Sequence, residues 1–361
     1  MNLWIYVFLV LPLLGSAYVF WRLWAMLPVA LVWKSCLIGG LSVGLIAAFG
    51  LLIYLRNEND LTLFSWAYNV STSWLIILLY LVMTFLVLDL GRLLKLVPAS
   101  FMVNSVVGTL SVLGFITMLF VYAHLRYKNK VRQELTLTTE KKLDQPLKLV
   151  LMSDLHLGYH NGRKELARWV DMVNAEQADA ILIAGDIIDI SVKPLLHEDM
   201  AAEMRRLNAP VYACLGNHEY ISGDNAAKSF YHAAGIRLLR DEVDTIKGIN
   251  IVGRDDRMNK GRKQLARMMQ EVDTGKYTIL LDHQPYHLEE AELAGVDFQF
   301  SGHTHQGQVW PISVIVNNMY ENAYGSSQRG KTHYYVSSGM GIWGGKFRIG
   351  TVSEYVVVTV K

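Results

Sequence analysis

Five short stretches of the chain carry side chains suited to holding metal ions. They are Asp154-Leu155-His156, Gly185-Asp186-Ile187-Ile188-Asp189, Gly216-Asn217-His218-Glu219, Asp282-His283 and Gly302-His303-Thr304-His305. Singly each is a weak signal, because an aspartate after a strand often caps a helix and a lone histidine is usually a satisfied core residue. Together they form an oxygen-and-imidazole donor set without thiolate, which suits Mn, Fe or Zn. A carboxylate can touch two ions at once, and a metal pair about 3.5–4 Å apart lowers the pKa of a shared water. The resulting hydroxide attacks phosphorus in line, so the chemistry expected is metal-assisted phosphoester hydrolysis. Glycines before Asp186, Asn217 and His303 allow the backbone to turn sharply and bring the donors close.

Such donors need elements that end at one place. Leu147–Met152, Ala180–Ala184, Pro210–Leu215, Tyr277–Leu281 and Asp297–Phe300 read as buried strands, and each runs directly into one donor set. Helical spacing falls between them at Gly162–Asn174, His197–Leu207 and Arg262–Val272. Strands alternating with helices predict an α/β domain, whose ligands collect beyond the carboxyl ends of the strands.

From Leu147 to Ser338 the order D-x-H, G-D-x-x-D, G-N-H-E, H, G-H-x-H resembles the calcineurin-like metallophosphoesterase family. The resemblance implies a four-layer αββα sandwich of two packed mixed sheets flanked by helices. It also implies that Asp154, His156 and His305 hold a first metal, that Asp186 bridges, and that Asn217, His283 and His303 hold the second. His218 would stand near the substrate oxygens as the catalytic residue that stabilises or protonates the leaving group. Asp189 and Glu219 are expected to orient ligands, with Asp189 alternatively capping a turn. His160 and Asn161 are candidates for lining the cleft. The stretch Gly339–Gly344 matches a dinucleotide fingerprint only formally, since an extended segment at 346–349 follows it instead of a helix. It resembles the tail of a membrane-associated branch of the family, where Trp343, Lys346 and Arg348 would meet apolar and anionic parts of a substrate, with an ordinary β-turn as the equal alternative. Gly253-Arg254-Asp255-Asp256-Arg257 resembles a motif of that branch, with a solvated turn as the equal alternative.

The rest of the chain says where this chemistry is placed. Charged residues are 18% of 361, against about 25% in a soluble globular chain. The deficit is local. Residues 1–125 hold five of the 34 Lys and Arg (Arg22, Lys34, Arg56, Arg92, Lys95) and three of the 32 acids (Glu58, Asp60, Asp89), and the remainder is electrically balanced. A single soluble globule, a disordered chain and a basic nucleic-acid binder are thereby excluded. Apolar runs at Leu3–Trp21, Ser35–Leu55, Val70–Leu88 and Ala99–Ala123 are each of membrane-crossing length. The first has no preceding cation and reads as an uncleaved anchor. The expected organisation is therefore about four transmembrane helices over 1–125, a basic juxtamembrane linker over 126–146, and the phosphoesterase domain over 147–361. Asp89 is expected to pair with Arg92 at a helix end, so that the helices anchor without conducting charge. Arg56 with Arg126, Lys128, Lys130 and Arg132 outnumbers the cations of the opposite side by one, a narrow vote for a multi-pass cell-membrane protein with a cytoplasmic catalytic domain.

The reading is a membrane-embedded two-metal phosphohydrolase cleaving a phosphodiester or pyrophosphate, with a lipid-linked, amphiphilic substrate. Its cofactors are two divalent or trivalent ions, Mn first, with Fe, Zn or Mg as alternatives. Membrane lipids are the expected partners, nucleic acid is not expected, and no protein partner is inferable. A broad-specificity phosphodiesterase or phosphomonoesterase that is merely anchored, or a non-catalytic scaffold with the same fold, are the alternatives.

Overall fold

The computed structural model describes residues 3–55 and 60–361, with side chains from Val10 onward. Two compact units emerge, one of residues 1–125 with Gly344–Lys346, the other of Arg126–Trp343 with Phe347–Lys361.

The first unit is helical. It contains α1 (Leu3–Met26), α2 (Leu31–Tyr54), α3 (Leu61–Leu93), the single turn α4 (Ala99–Met102) and α5 (Val106–Lys128). Helices α2, α3 and α5 are long and apolar enough to cross a membrane, and α1 is apolar over Val10–Met26. In hydrocarbon every backbone polar group must be paired within its own segment, which favours helix over these uncharged runs. Val19, Met26, Leu78, Leu81, Phe85, Met102 and Val112 form the unit's core. Trp33, Ile46 and Ile53 face outward. Asp89 does not meet Arg92. It accepts from the Tyr18 hydroxyl at 2.6 Å and pairs with Arg22, because α1 packs along α3 and offers both partners across the helix contact. Arg92 points outward. Arg56, counted above in the charge comparison, lies outside the described residues, as does Glu58.

The second unit contains two six-stranded mixed sheets. Its elements in chain order are β1 (Lys130–Leu137), β2 (Leu147–Met152), α6 (Arg163–Ala175), β3 (Ala180–Ala184), α7 (Lys193–His197), α8 (Met200–Met204), β4 (Val211–Cys214), α9 (Asn217–Ser222), α10 (Asp224–Ala233), β5 (Arg237–Leu238), β6 (Glu242–Ile246), β7 (Ile249–Gly253), α11 (Leu265–Met268), β8 (Thr278–Leu281), α12 (Glu289–Leu293), β9 (Phe298–Ser301), α13 (Ile312–Met319), β10 (Gly325–Arg329), β11 (Thr332–Val336) and β12 (Ser353–Val360). The sheet orders are β1-β12-β2-β3-β4-β5 and β10-β11-β9-β8-β7-β6. Leu149, Leu182 and Val358 from the first sheet pack against Ile251, Leu281 and Phe300 from the second, so the sheets lie face to face. Trp169, Met204 and Phe230 cover the outer face of the first sheet. Leu265, Met268 and Leu288 cover that of the second. The layers are αββα.

Residues 126–146 differ from the expected linker. β1 occupies part of that stretch and pairs in parallel with β12 along its whole length. Its charged alternation, Lys130-Val131-Arg132-Gln133-Glu134, suits an edge strand with one solvated face. Two cations of the basic cluster are used there: Lys130 donates to Tyr127 O and lies over the Tyr127 ring, and Arg132 pairs with Glu134 and Glu176. The helix read over 197–207 is broken by Asp199, which has φ 48° and caps α8. The extended segment read at 346–349 forms only an isolated bridge between Ile349 and Val309.

Phe300 is fully buried between the sheets. Its truncation to alanine is expected to cost about 3–5 kcal/mol, read as a lowered melting temperature of the detergent-solubilised chain. An unchanged melting temperature would contradict face-to-face packing of the sheets.

Candidate metal centre

All five donor sets lie just past carboxyl ends of strands: β2, β3 and β4 in the first sheet, β8 and β9 in the second. Their backbones are tied to each other. Asp154 N donates to Gly185 O, His156 N to Asp186 O, and Gly302 N to His283 O. Of the seven candidate ligands, Asp154, His156, Asp186, His303 and His305 have positive φ, between 44° and 71°. Non-glycine residues rarely adopt this region, and they do so where surrounding structure over-determines it, often at active sites.

The glycines act through space as much as through torsion. Gly185 has φ +73°, but a Cβ on Gly216 would stand 2.2 Å from Asp186 Oδ1, and one on Gly302 would stand 2.2 Å from Asp154 Oδ2. Each glycine lets a neighbouring carboxylate lie against bare backbone.

Among the described residues three donor groups result, one of them His156 with Asp189 and His218, and two of them made of expected ligands alone. Asp154, His156 and His305 offer atoms within 4.8 Å of one another, and so do Asp186, His283 and His303. In the first group the Nε2 atoms of His156 and His305 face each other at 3.0 Å, and Asp154 Oδ1 lies 3.3 Å from His305 Nε2. In the second, Asn217 Oδ1 lies 3.2 Å from His283 Nε2 and 2.8 Å from His303 Nδ1. One atom serves both groups: Asp186 Oδ2 is 3.1 Å from His283 Nε2 and 3.8 Å from His156 Nε2. His283 Nδ1 is 2.7 Å from Ala184 O, which leaves its Nε2 free to act as a ligand.

The electrostatics ask for cations. Burial opposes ionisation of Asp154, yet His305 and His156 hold its carboxyl well below the usual range. Burial opposes charge on His156 too, but Asp154 and Asp189 raise it to about 10. Burial lowers His303 to about 4, with the His283 charge adding to the effect, and His305 is lowered in the same direction. Facing imidazoles 3.0 Å apart can share a single proton. A metal ion there replaces that proton, so metal and proton compete for the site. The donors present fit a dinuclear metal centre.

Around the donors stand residues that hold them. Glu219, fully buried, accepts from Gly216 N at 2.7 Å and from Asp186 N and Ile188 N at 3.0 Å, which staples the β3 and β4 loops together. Asp189 Oδ1 lies 3.5 Å from His156 Nδ1 and 3.4 Å from His218 Nδ1. The His218 ring stands edge-on to His156, and its backbone N–H donates to Asp186 Oδ1.

Arg348 and Asn161 depart from their expected places. Arg348 does not meet a substrate. It is completely buried and donates to His305 O (2.7 Å), Ser338 O (2.5 Å), Gly341 O and Ser353 Oγ. The glycine stretch after β11 closes over Asp154 through Gly341 N→Asp154 O and Met340 N→Ser153 O, and it leaves several inward-facing carbonyls that require a multivalent donor. Asn161 does not line a cleft. Its amide donates to the carbonyls of Leu155, His156 and Ile342 and accepts from Tyr127 Oη. His160 is buried beside it in the same turn. Trp343 is exposed, and Lys346 groups with the helical unit.

Two supports were not read from the sequence. Glu354 accepts from Ser338 N and from the hydroxyls of Tyr324 and Tyr335. Asp256 takes both amide hydrogen bonds of Gln284, next to His283. No spacing rule marks either one, although Asp256 lies in the Gly253–Arg257 turn singled out above.

Comparison with known proteins agrees with this geometry. Residues 147–307 match the model of the calcineurin-like phosphoesterases. A metallophosphoesterase of Aquifex aeolicus is 33% identical over 257 residues, covering 68% of this chain and 97% of that protein. The chain belongs to the calcineurin-like metallophosphoesterases. A Helicobacter pylori metallophosphoesterase is 32% identical over 219 residues, and the match spans 59% of each protein. A zebrafish (Danio rerio) protein named as a transmembrane protein with a metallophosphoesterase domain is 31% identical over 236 residues, 60% of this chain and 53% of that protein. This metallophosphoesterase is thus a metal-dependent phosphoesterase, and its helices α2, α3 and α5 are long and apolar enough to cross a membrane.

Gly216→Ala should displace the Asp186 carboxylate, and elemental analysis of the purified protein should find fewer than two metal ions per chain. Arg348→Met should leave buried carbonyls unpaired, at about 1–3 kcal/mol each. A lowered melting temperature with weakened metal retention is expected, and wild-type values for both would contradict the positioning described.

Proposed function

We propose that this metallophosphoesterase is a two-metal phosphohydrolase of the cell membrane, acting on a phosphodiester or pyrophosphate in a lipid-linked substrate. The observation that carries the two-metal reading is the position of Asp186 Oδ2, within reach of both donor groups. Asp154, His156 and His305 would hold one ion, Asn217, His283 and His303 the other, and Asp186 both. When bound, the ions neutralise phosphoryl charge and activate water. Mn is the first choice for the oxygen-and-imidazole set.

His218 is the proposed acid for the leaving oxygen. Its Nδ1 is engaged by Asp189, which leaves Nε2 to face the substrate and carry the proton. Burial alone would lower His218, but the Asp186 carboxylate beside it raises it, favouring the protonated form an acid needs.

The lipid-linked substrate is supported by the three membrane-length helices and by the direct run of α5 into β1. The relative named as a transmembrane metallophosphoesterase supports the same arrangement. Residues 1–125 form the proposed membrane domain and 147–361, joined by the β1 stretch, the catalytic one. Arg126 and Lys128 at the end of α5 support a cytoplasmic catalytic domain by the positive-inside bias.

Purified protein with Mn²⁺ should hydrolyse a lipid-linked phosphodiester faster than a water-soluble one. Equal rates would favour a merely anchored enzyme of broad specificity. His218→Ala should lower kcat roughly 10²–10⁴-fold while metal content stays at the wild-type value. Chelation should abolish turnover and Mn²⁺ should restore it.

A further inference from the structure

The turn after β7, with Arg240 from the segment before β6, gathers several arginines near the second donor group, and all but one have carboxylate partners. Arg254 pairs with Asp282 and Glu290, Arg262 with Asp282, and Arg240 with Asp255. Among the described residues no carboxylate pairs with Arg257, and its buried Nη1 has no hydrogen-bond partner. A guanidinium nitrogen withdrawn from water without a partner is costly, and a ligand that completes it recovers that cost.

The surroundings of Arg257 lead back to the metal centre. Its guanidinium carbon lies 4.6 Å from the centroid of the Tyr286 ring. The Tyr286 and Tyr320 hydroxyls are 2.9 Å apart, with their rings at 4.9 Å. The Tyr320 ring stands at 73° to that of His303, centroids 6.4 Å apart. A half-buried aromatic wall therefore runs from a candidate ligand of the second ion to an unpaired cation. Packing on an aromatic ring fixes the plane of a guanidinium while its N–H edge stays available for a bidentate oxyanion. One of the two hydroxyls donates to the other, which leaves the other's single O–H to donate to a further oxygen.

We propose that Arg257, with Tyr286 and Tyr320, binds a second phosphoryl group of the substrate, next to the one under attack. The favoured substrate class is then a diphosphate diester, cleaved at its P–O–P bond. This rests on the phosphohydrolase reading above and sharpens it from two bond types to one. Water's oxygen bonds to the phosphorus at the Asp and His donors, and the bridging P–O bond breaks. The departing phosphoryl group, held by Arg257, leaves as a phosphomonoester. The two protons of the water end on the product phosphates or in solvent. Arg257 is a specificity residue here, gripping the leaving group and touching no metal ligand itself.

The full-length protein in detergent with Mn²⁺ is assayed on UDP-glucose, a diphosphate diester, and on bis(p-nitrophenyl) phosphate, which has one phosphorus. Arg257→Gln should lower kcat/KM on UDP-glucose roughly ten- to hundredfold more than on the single-phosphorus diester, as loss of a charged hydrogen bond does. Most of that loss should appear in KM, and Arg257→Lys, a point charge in place of a fork, should recover only part of it. Equal losses on both substrates, or a lowered melting temperature accompanying equal losses, would assign Arg257 a structural role and overturn the proposal. A wild-type enzyme that cleaves the single-phosphorus diester but not UDP-glucose would also overturn it, while leaving the phosphohydrolase reading intact. A wild-type enzyme inactive on both substrates with Mn, Fe, Zn and Mg would instead overturn that reading, and this one with it.

Discussion

Two imidazole nitrogens held 3.0 Å apart, with three buried carboxylates around them, are the constraint to which the catalytic unit is built. Isolated from water, such a set of lone pairs and negative charge is strongly unfavourable unless cations or shared protons neutralise it. The fold keeps it together by over-determination. Strand ends from both sheets deliver the donors, backbone hydrogen bonds lock one loop to the next, and Glu219 pins two of them from behind. The left-handed torsions at five donors are the local cost of this convergence. The apolar core between the sheets is the rigid base that makes the cost bearable.

Arginines in this unit divide by what surrounds them. Arg348 is surrounded by backbone carbonyls and works as a structural tie, its charge spread over several acceptors. Arg254 and Arg262 are neutralised on Asp282, which accounts for that carboxylate beside His283 without any metal role. The distinction follows from burial and partners, and residue type alone carries no trace of it.

What the sequence made legible was whatever repeats a strong local rule. β3 is a continuous apolar run ending in Gly-Asp, and its limits were readable to the residue. β2, β4, β8 and β9 followed within a residue or so, because a strand buried on both faces is mostly apolar. Edge strands were harder. β1 alternates charges and resembles a linker, and β10, Gly325–Arg329, has no apolar residue at all; only pairing with β12 and β11 makes them strands. The metal donors were legible because their types and order are rare together. Arg348 and Asn161 were misplaced for the converse reason. Their neighbours are backbone carbonyls from distant segments, and carbonyls leave no mark in a sequence. The same holds for Asp89, whose partners arrive from a different helix.

β12 lies between β1 and β2, so two strands that are neighbours in the chain are separated in the sheet by one made some 200 residues later. During synthesis β1 and β2 must wait for it, and so must Asp154, whose cover after β11 is joined to that strand by Glu354. The apolar helices, made first, leave the ribosome long before this late strand exists. Membrane insertion and assembly of the catalytic centre are therefore separate events in time, and a chain stalled before residue 353 would be delivered to the bilayer with a catalytic sheet that cannot close.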